Sequence, residues 1–520
     1  MTLQANPADF DEVFPAGWKH NDMEASIDRV FDKIPWTDRP SADGKLYLDQ
    51  GYNSVGHALQ VAGYRSVTAN EAPGDKNHTF SAAPFMYSHG ERGGPMATYL
   101  VDADANSNFK LWTNTTVSRV LRNGSHITGV QVEAYGDGGY CGKVNVTPRT
   151  GHVILSAGAF GTSKILMRSG IGPADQLAVV KSSADGPNMI DESQWLNLPV
   201  GENLHDHTST DVVIHNTQSV FYDYYAAYDT PITSDKNAYL NSRSGPLAQS
   251  APNINPMFWD EITGTDGSVR QLQWQTRTEG AHGIGNNGSM TISQYLGRGK
   301  TSVGRMTITA GLNMVVSTLP YMNTAEDRLA IINGLKMLRD AFANSSVLTL
   351  MYPPSNQTIE DFVDSYTMTV SARSGNHWMG SAKMGVDSGL VNNGTSVVDL
   401  DTKVYGTDNL FVVDASIFPG MITTNPSALI VAVAERASER ILALSTDSLT
   451  NRTVVSPVST QKVSNATTSL SGPVPAGVPG PAGSPPAPKA GNPNGAFGRF
   501  PPKPHRHESF VAGSRKLYDF

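Results

Sequence analysis

The stretch HVILSAGAFGTSKILMRSGIGP, His152–Pro173, decides how the chain is read. Val153, Ile154 and Leu155 make a short continuous apolar run, the pattern of a strand buried on both faces, and the run ends in Ser156, Ala157 and Gly158. An amphipathic segment follows. Strand, small-residue turn and helix together form the unit in which backbone N–H groups converge on a pyrophosphate, and Ala157 and Gly158 let a ligand approach the backbone closely. NLFVVDAS, Asn409–Ser416, reads as a second such strand, where Asp414 can accept hydrogen bonds from a ligand hydroxyl or orient the local amides. Behind it, NPSALIVAVAERASERILAL, Asn425–Leu444, has Asn-Pro at its start and apolar residues at helical spacing. Two strands of this kind predict the nucleotide-binding half of an α/β protein. Residues 205–375, richer in alternating and aromatic segments, predict a separate α+β lobe built on a sheet and facing the substrate.

Composition narrows the partners. The 520 residues carry a net charge of −8, opposite in sign to the basic surface that nucleic acid requires. No window approaches the ~20 apolar residues of a membrane span, and the first twenty residues have neither a basic nor an apolar leader region. Asn-x-Ser/Thr sequons at Asn77, Asn114, Asn123, Asn145, Asn287, Asn356, Asn393 and Asn451 suit a glycosylated, secreted protein. A single cysteine, Cys141, excludes intrachain disulfides and cysteine metal clusters. From residue 446 the chain turns Ser/Thr-rich and then Pro/Gly-rich, which predicts a linker or disordered tail over 446–520.

Three further stretches bear on chemistry. FKLWTNTTVSRVLRNGSHITGVQVE, Phe109–Glu133, alternates on both sides of Asn123-Gly124 and predicts a hairpin. GIGNNG, Gly283–Gly288, matches a dinucleotide fingerprint literally, but no buried strand precedes it and no helix pattern follows, so it reads as a polar loop. In LPVGENLHDH, Leu198–His207, His205 and His207 stand two apart without cysteine or a helically spaced histidine, so no metal site is expected.

SGNHWMGSAKMG, Ser374–Gly385, places a proton-transfer side chain, an amide and an indole before a run of small residues. Together with GAFGTSKILMRSGIGP, LPVGENLHDH and VVDASIFPG…TTNPSALIVAVAE, in that order along the chain, it resembles the glucose-methanol-choline oxidoreductases. SADGKLYLDQGYN, ERGGPMATYLVDA, SNFKLWTNT, NHWMGSAKMG and VVDLDTKVYGTDNLFVVDAS are most similar to the flavin domains of fungal cellobiose dehydrogenases. The resemblance covers residues 15–445. It implies a Rossmann-like FAD-binding fold, here without the first βαβ unit and its G-x-G-x-x-G, and therefore an N-terminally truncated chain.

The resemblance implies FAD as cofactor, His377 and Asn425 facing the flavin as catalytic residues, Asn376 and an arginine of the 298–305 region, Arg298 or Arg305, as sugar contacts, and Val117 near the adenine. It places Ala157, Gly158, Asp414, Ala415, Asn425 and Pro426 around the cofactor, with the small residues after Trp378 leaving room for the ring system. Trp378 itself is expected either in the pocket wall or in the core. The segments expected are 1–100, mixed; 101–204, FAD domain; 205–375, substrate domain; 376–445, FAD domain with the active site; and the tail. The implied activity is oxidation of cellobiose and related oligosaccharides to lactones, with electrons passed to a quinone or a cytochrome haem, outside the cell. The alternatives are another sugar or alcohol oxidase or dehydrogenase of the family, and a silent fragment unable to hold FAD.

Overall fold

The computed structural model describes residues 1–249 and 254–450. The first part of the chain contributes α1 (His20–Lys33), α2 (Gln50–Val61), the short strands β1 (Arg65–Ser66), β2 (Thr79–Ala82), β3 (Tyr87–Ser88) and β4 (Glu91–Arg92), and α3 (Tyr99–Asp104). Then come β5 (Thr115–Asn123), β6 (His126–Ala134), β7 (Gly142–Asn145), β8 (Val153–Leu155), α4 (Gly158–Arg168) and α5 (Ala174–Lys181). The middle holds β9 (Thr208–Asn216), α6 (Tyr224–Asp229), α7 (Thr233–Ser242), β10 (Pro256–Thr263), β11 (Val269–Arg277), β12 (Ser289–Leu296), β13 (Arg305–Ile308), β14 (Met314–Thr318), α8 (Ala325–Phe342), β15 (Leu348–Tyr352) and α9 (Ile359–Ser365). The last elements are α10 (Val370–Arg373), β16 (Leu410–Val412) and α11 (Ser427–Thr450).

Two apolar cores organise these elements. In the first, Met23, Ile27 and Val30 recur at helical spacing on α1 and pack with Leu429, Ala432 and Val433 of α11, Leu166 of α4, and the parallel pair β8 and β16. The second core lies under a seven-stranded sheet of order β1-β2-β10-β11-β12-β9-β15, antiparallel except for β1 with β2. Val212, Phe258, Leu272, Trp274 and Ile292 point from that sheet onto Val55 and Leu59 of α2 and Ile331 and Leu335 of α8. Phe258 and Trp274 stack with ring centroids 5.3 Å apart. Each fully buried side chain of this size contributes about 1.5–3 kcal/mol through removal from water.

The first hundred residues contribute to both cores, and residues 205–375 are not confined to one. α2, β1 and β2, within residues 1–100, belong to the seven-stranded sheet and its core. Met306, Ile308 and Met314, within residues 205–375, pack in the first core instead. The 109–133 hairpin forms, with Gly124-Ser125 as the turn and Gly124 at φ 60°, and β7 adds a third strand. The strand at 153–155 departs from expectation: Val153 and Leu155 are buried but Ile154 is 49% exposed, while all three residues of its partner β16, including Phe411 beside Ile154, are buried. α11 continues to Thr450, past the composition change at 446, and the rest of the expected tail lies outside the described residues.

Candidate active site

β9 begins where LPVGENLHDH ends, and that junction anchors the loop carrying Asn376 and His377. Asp206 is fully buried, and its carboxylate accepts from the Tyr321 hydroxyl at 2.8 Å, the Ser374 hydroxyl at 2.8 Å and the His377 backbone N–H at 2.7 Å. Burial pushes this carboxyl above its ordinary range, while those donors and the Lys300 ammonium pull it back. Gly375 donates its N–H to the His207 carbonyl, and a Cβ at Gly375 would stand 2.9 Å from the His207 Cβ. At Gly380 a Cβ would stand 2.3 Å from the Asn203 carbonyl oxygen. These two small residues of SGNHWMGSAKMG therefore let the 203–207 segment approach closely.

The loop and the turn before α11 meet at the imidazole. His377 Nε2 lies 3.0 Å from Asn425 Nδ2, and His377 Nδ1 lies 3.0 Å from His207 Nδ1. His207 Nε2 reaches the Ile422 carbonyl at 2.9 Å. On the other side, Gln273 of β11 donates from Nε2 to Asn425 Oδ1 at 2.8 Å, and Trp259 of β10 donates from its indole to Gln273 Oε1 at 3.2 Å. Burial pushes the His207 imidazole well below its ordinary value, with the neighbouring His377 and Lys300 adding to the effect, so it is neutral. His205 turns to Asn203 Oδ1 at 3.3 Å while His207 faces His377, so the two rings do not converge on a common point. Burial lowers His205 to about 3.

The turn that carries Asn425 is fixed from the far end of the chain. The buried Asp9 accepts from the Thr423 N–H at 2.8 Å and the Thr423 hydroxyl at 2.6 Å, and burial raises its carboxyl to about 6. Pro426 precedes α11 and its carbonyl accepts from Ile430 N, so the positive end of a 24-residue helix begins beside Asn425.

Asn376 is exposed next to the buried His377 and holds φ 59°, a left-handed conformation that asparagine tolerates better than most residues. Trp378 packs edge-on to Phe160 at 5.3 Å, against the first core, which favours the second of the two places expected for it. Arg305 is not brought to this site: its guanidinium is held at the surface by Glu202 at 2.7 Å and Asp175 at 2.8 Å. Arg277 lies on the face of β11 that carries Gln273. It donates to Ser293 Oγ at 2.8 Å and pairs with Asp211 at 3.1 Å. Asp211, Arg277, Glu279, His282, Tyr352 and Tyr366 line a cavity of about 520 Å³. At ~3.3 Å per residue, Arg277 stands about 13 Å along the strand from Gln273.

The expected cofactor positions gather at the open end of the β8/β16 pair. Ser156 and Ala157 are exposed, Gly158 holds φ 72°, and a Cβ there would meet no atom within 4 Å. Asp414 ties the two strand-end turns: Oδ2 accepts from Gly158 N at 2.9 Å and Thr162 Oγ1 at 2.5 Å, and Oδ1 from Ser416 N at 2.8 Å and the Ser416 hydroxyl. Its oxygens are occupied, so of the two roles open to it, orienting amides is the one the geometry supports. Ala415 is buried and accepts from Gly380 N, while Val117 lies at a register shift of β5, on the hairpin that packs beside α4. Open backbone at Ala157 and Gly158, turns fixed by Asp414 and a polar pair at His377 and Asn425 fit a dinucleotide carrying a redox ring.

The sequence pointed to His377, Asn425 and Asn376 but not to Gln273, Asp206 or Arg277, nor to His207 as a partner of His377. The histidine at two-residue spacing was visible in LPVGENLHDH, and the alternation of LQWQTR placed three polar residues on one strand face; neither reveals what lies opposite.

A family model described as GMC oxidoreductase matches residues 10–209, and a second, also described as GMC oxidoreductase, matches residues 300–434. A glucose-methanol-choline family oxidoreductase of Annulohypoxylon moriforme is 26% identical over 390 residues, 70% of this chain and 61% of its own length. The mitochondrial choline dehydrogenase of Mus musculus is 27% identical over 432 residues, 77% of this chain and 65% of its own. The chain thus spans less than two thirds of the length of these relatives. Among solved structures, an FAD-dependent oxidoreductase from Chaetomium thermophilum aligns with a TM-score of 0.64 and 16% identity, covering 85% of this chain and 84% of that one.

Proposed function

Because this chain belongs to the glucose-methanol-choline oxidoreductase family, whose cofactor is FAD, we propose that it oxidises cellobiose and related oligosaccharides at the reducing-end anomeric carbon. The observation that carries the reading is one face of one sheet: Gln273 at one end holds the buried His377–Asn425 pair, and Arg277 at the other lines a polar, aromatic cavity. An extended polyhydroxy substrate suits that layout, with its reacting end at His377 and its remainder toward Tyr352, Tyr366, Asp211 and Arg277.

His377 Nε2 receives the proton of the anomeric hydroxyl, a task matched to an imidazole near neutral pH. Asn425 Nδ2 donates to the same oxygen without titrating, and the adjoining N-terminus of α11 favours the negative charge that develops there. Asn376, exposed beside the base, is placed to contact the sugar. The hydride acceptor would be supplied by FAD when bound, leaving the sugar as its lactone and the hydroxyl proton on His377. Ala157, Gly158, Ala415 and Pro426 with the Asp414-tied turns would hold that cofactor, and Val117 its adenine end. A quinone or a cytochrome haem would take the electrons.

The sequons at Asn77, Asn114, Asn123, Asn145, Asn287, Asn356 and Asn393 are all exposed, which supports an extracellular, glycosylated protein. Among the described residues no helix is long and apolar enough to cross a membrane. The test is the visible spectrum of the purified chain loaded with FAD. Bleaching of the flavin bands by cellobiose is expected; bleaching by choline or an aryl alcohol instead would replace the substrate, and a chain that never takes up flavin would leave the reading without an enzyme.

A further inference from the structure

The hydrogen bonds around His377 form a single directed chain whose two ends have no choice of role. Trp259 Nε1–H can only donate, and the Ile422 carbonyl can only accept. Gln273 receives the indole proton on Oε1 and therefore donates from Nε2 to Asn425 Oδ1. Asn425 is thereby oriented with Nδ2 toward His377 Nε2, which must accept and so carries no proton. From the other end, His207 Nε2 faces the Ile422 carbonyl at 2.9 Å and must carry its proton there. Gly297 is what gives these groups room, because a Cβ at that position would stand 2.7 Å from the Ile422 carbonyl oxygen and 3.2 Å from His207 Nε2. A neutral His207 protonated on Nε2 presents a lone pair on Nδ1, which lies 3.0 Å from His377 Nδ1.

We propose that His207 is a positioning residue that, with Asn425 on the other nitrogen, locks His377 in the tautomer protonated on Nδ1, so that Nε2 is unprotonated and can exchange its Asn425 hydrogen bond for the reacting hydroxyl. The inference rests on reading His377 as the base. A base in the opposite tautomer would present an N–H to the substrate and could not take its proton. The lock uses a neutral acceptor where a carboxylate would also serve. Asp206, one residue away, is committed to the backbone N–H of the same histidine and to Tyr321 and Ser374. Two adjacent residues at the start of β9 thus divide the work: Asp206 holds the loop and His207 sets the proton. Burial keeps His207 neutral, so it orients the proton and does not carry it away.

The experiment is long-range ¹H–¹⁵N correlation of the full chain labelled with ¹⁵N-histidine near pH 8, with signals assigned from His207→Asn and His377→Gln. The wild type is expected to show His377 as the Nδ1–H tautomer and His207 as the Nε2–H tautomer. His207→Leu removes the acceptor at Nδ1 and leaves Asn425 as the remaining restraint, so the Nε2–H form of His377 should rise from undetected to a readily measured fraction. His207→Asn puts an oxygen where Nδ1 stood and should restore Nδ1–H. In the flavin-loaded protein His207→Leu should lower kcat by several-fold, in proportion to the share of His377 in the Nε2–H form, with KM little changed. An Nε2–H tautomer at His377 in the wild type overturns the proposal, and so does an unaltered tautomer in His207→Leu. If that variant does not fold, the wild-type spectrum and the His207→Asn rescue decide. Because the spectrum needs neither flavin nor sugar, a chain with the expected tautomers and no sugar oxidation would overturn the function and leave the lock standing.

Discussion

On β11, Leu272 and Trp274 turn to the core with α2 and α8, while Gln273 and Arg277 turn to the histidine loop and the cavity beside it. On β12, Ile292 faces the core, and Ser293 and Tyr295 face the site. The same strands, with alternate residues, form both faces. The apolar face stabilises in proportion to area removed from water and tolerates interchange among side chains of similar volume. The polar face gains little net stability, and each buried polar group there must be met by a partner or it destabilises the fold. What the face contributes is position: a carboxamide held by a carboxamide held by an indole, ending at the imidazole.

The sharpest way to break the comparison is at His377. His377→Ala should lower turnover of the flavin-loaded protein by roughly 10² to 10⁴ while unfolding free energy falls by about 1–3 kcal/mol for the partners it leaves unmet, measured as kcat and unfolding free energy on one preparation. Near-normal turnover would remove the base. Ile292→Ala, across the sheet, should do the reverse: a loss of about 2–5 kcal/mol in unfolding free energy with kcat per folded molecule retained. A third variant separates binding from chemistry. Arg277→Leu should raise KM by about 10-fold with kcat little altered, since the cavity it lines lies away from the reacting end. An unchanged KM would take the cavity out of substrate binding.

A further effect concerns acid. His205 falls to about 3 in the folded chain from 6.5. Between those values the unfolded chain binds more protons, so stability rises with pH across the window and is lost as pH falls from 6.5 toward 3. His205→Gln should flatten unfolding free energy against pH over that range by up to roughly 1.4 kcal/mol per unit at one site. An unaltered slope would mean that His205 is not buried neutral.

The sequence made legible what depends on local pattern. Alternation about Asn123-Gly124 yields the hairpin, Asn-Pro before apolar residues at helical spacing yields α11, and GIGNNG lies in the loop between β11 and β12 as its surroundings suggested. His377 and Asn425 were legible through resemblance, and they meet across 48 residues. What was not legible depends on which polar face is covered. Gln273 and Arg277 alternate with Leu272 and Trp274 as they would on a strand facing water, and nothing in LQWQTR tells that Asn425 lies 152 residues away in sequence and 2.8 Å away in space. Arg305 and Arg277 are likewise indistinguishable by residue type; one is held by surface carboxylates and the other lines the cavity. Ile154 was read as buried because a three-residue apolar run carries no record of what packs on its second face.

Asp9 holds Thr423 across 414 residues, two positions before Asn425. At synthesis rates of roughly 5–20 residues per second, an emerging chain waits about 20 to 80 seconds between making one partner and making the other. The second core draws its residues from 55 to 363 and closes without them. A ribosome-bound intermediate can therefore be well packed in its larger sheet while its reactive centre does not yet exist.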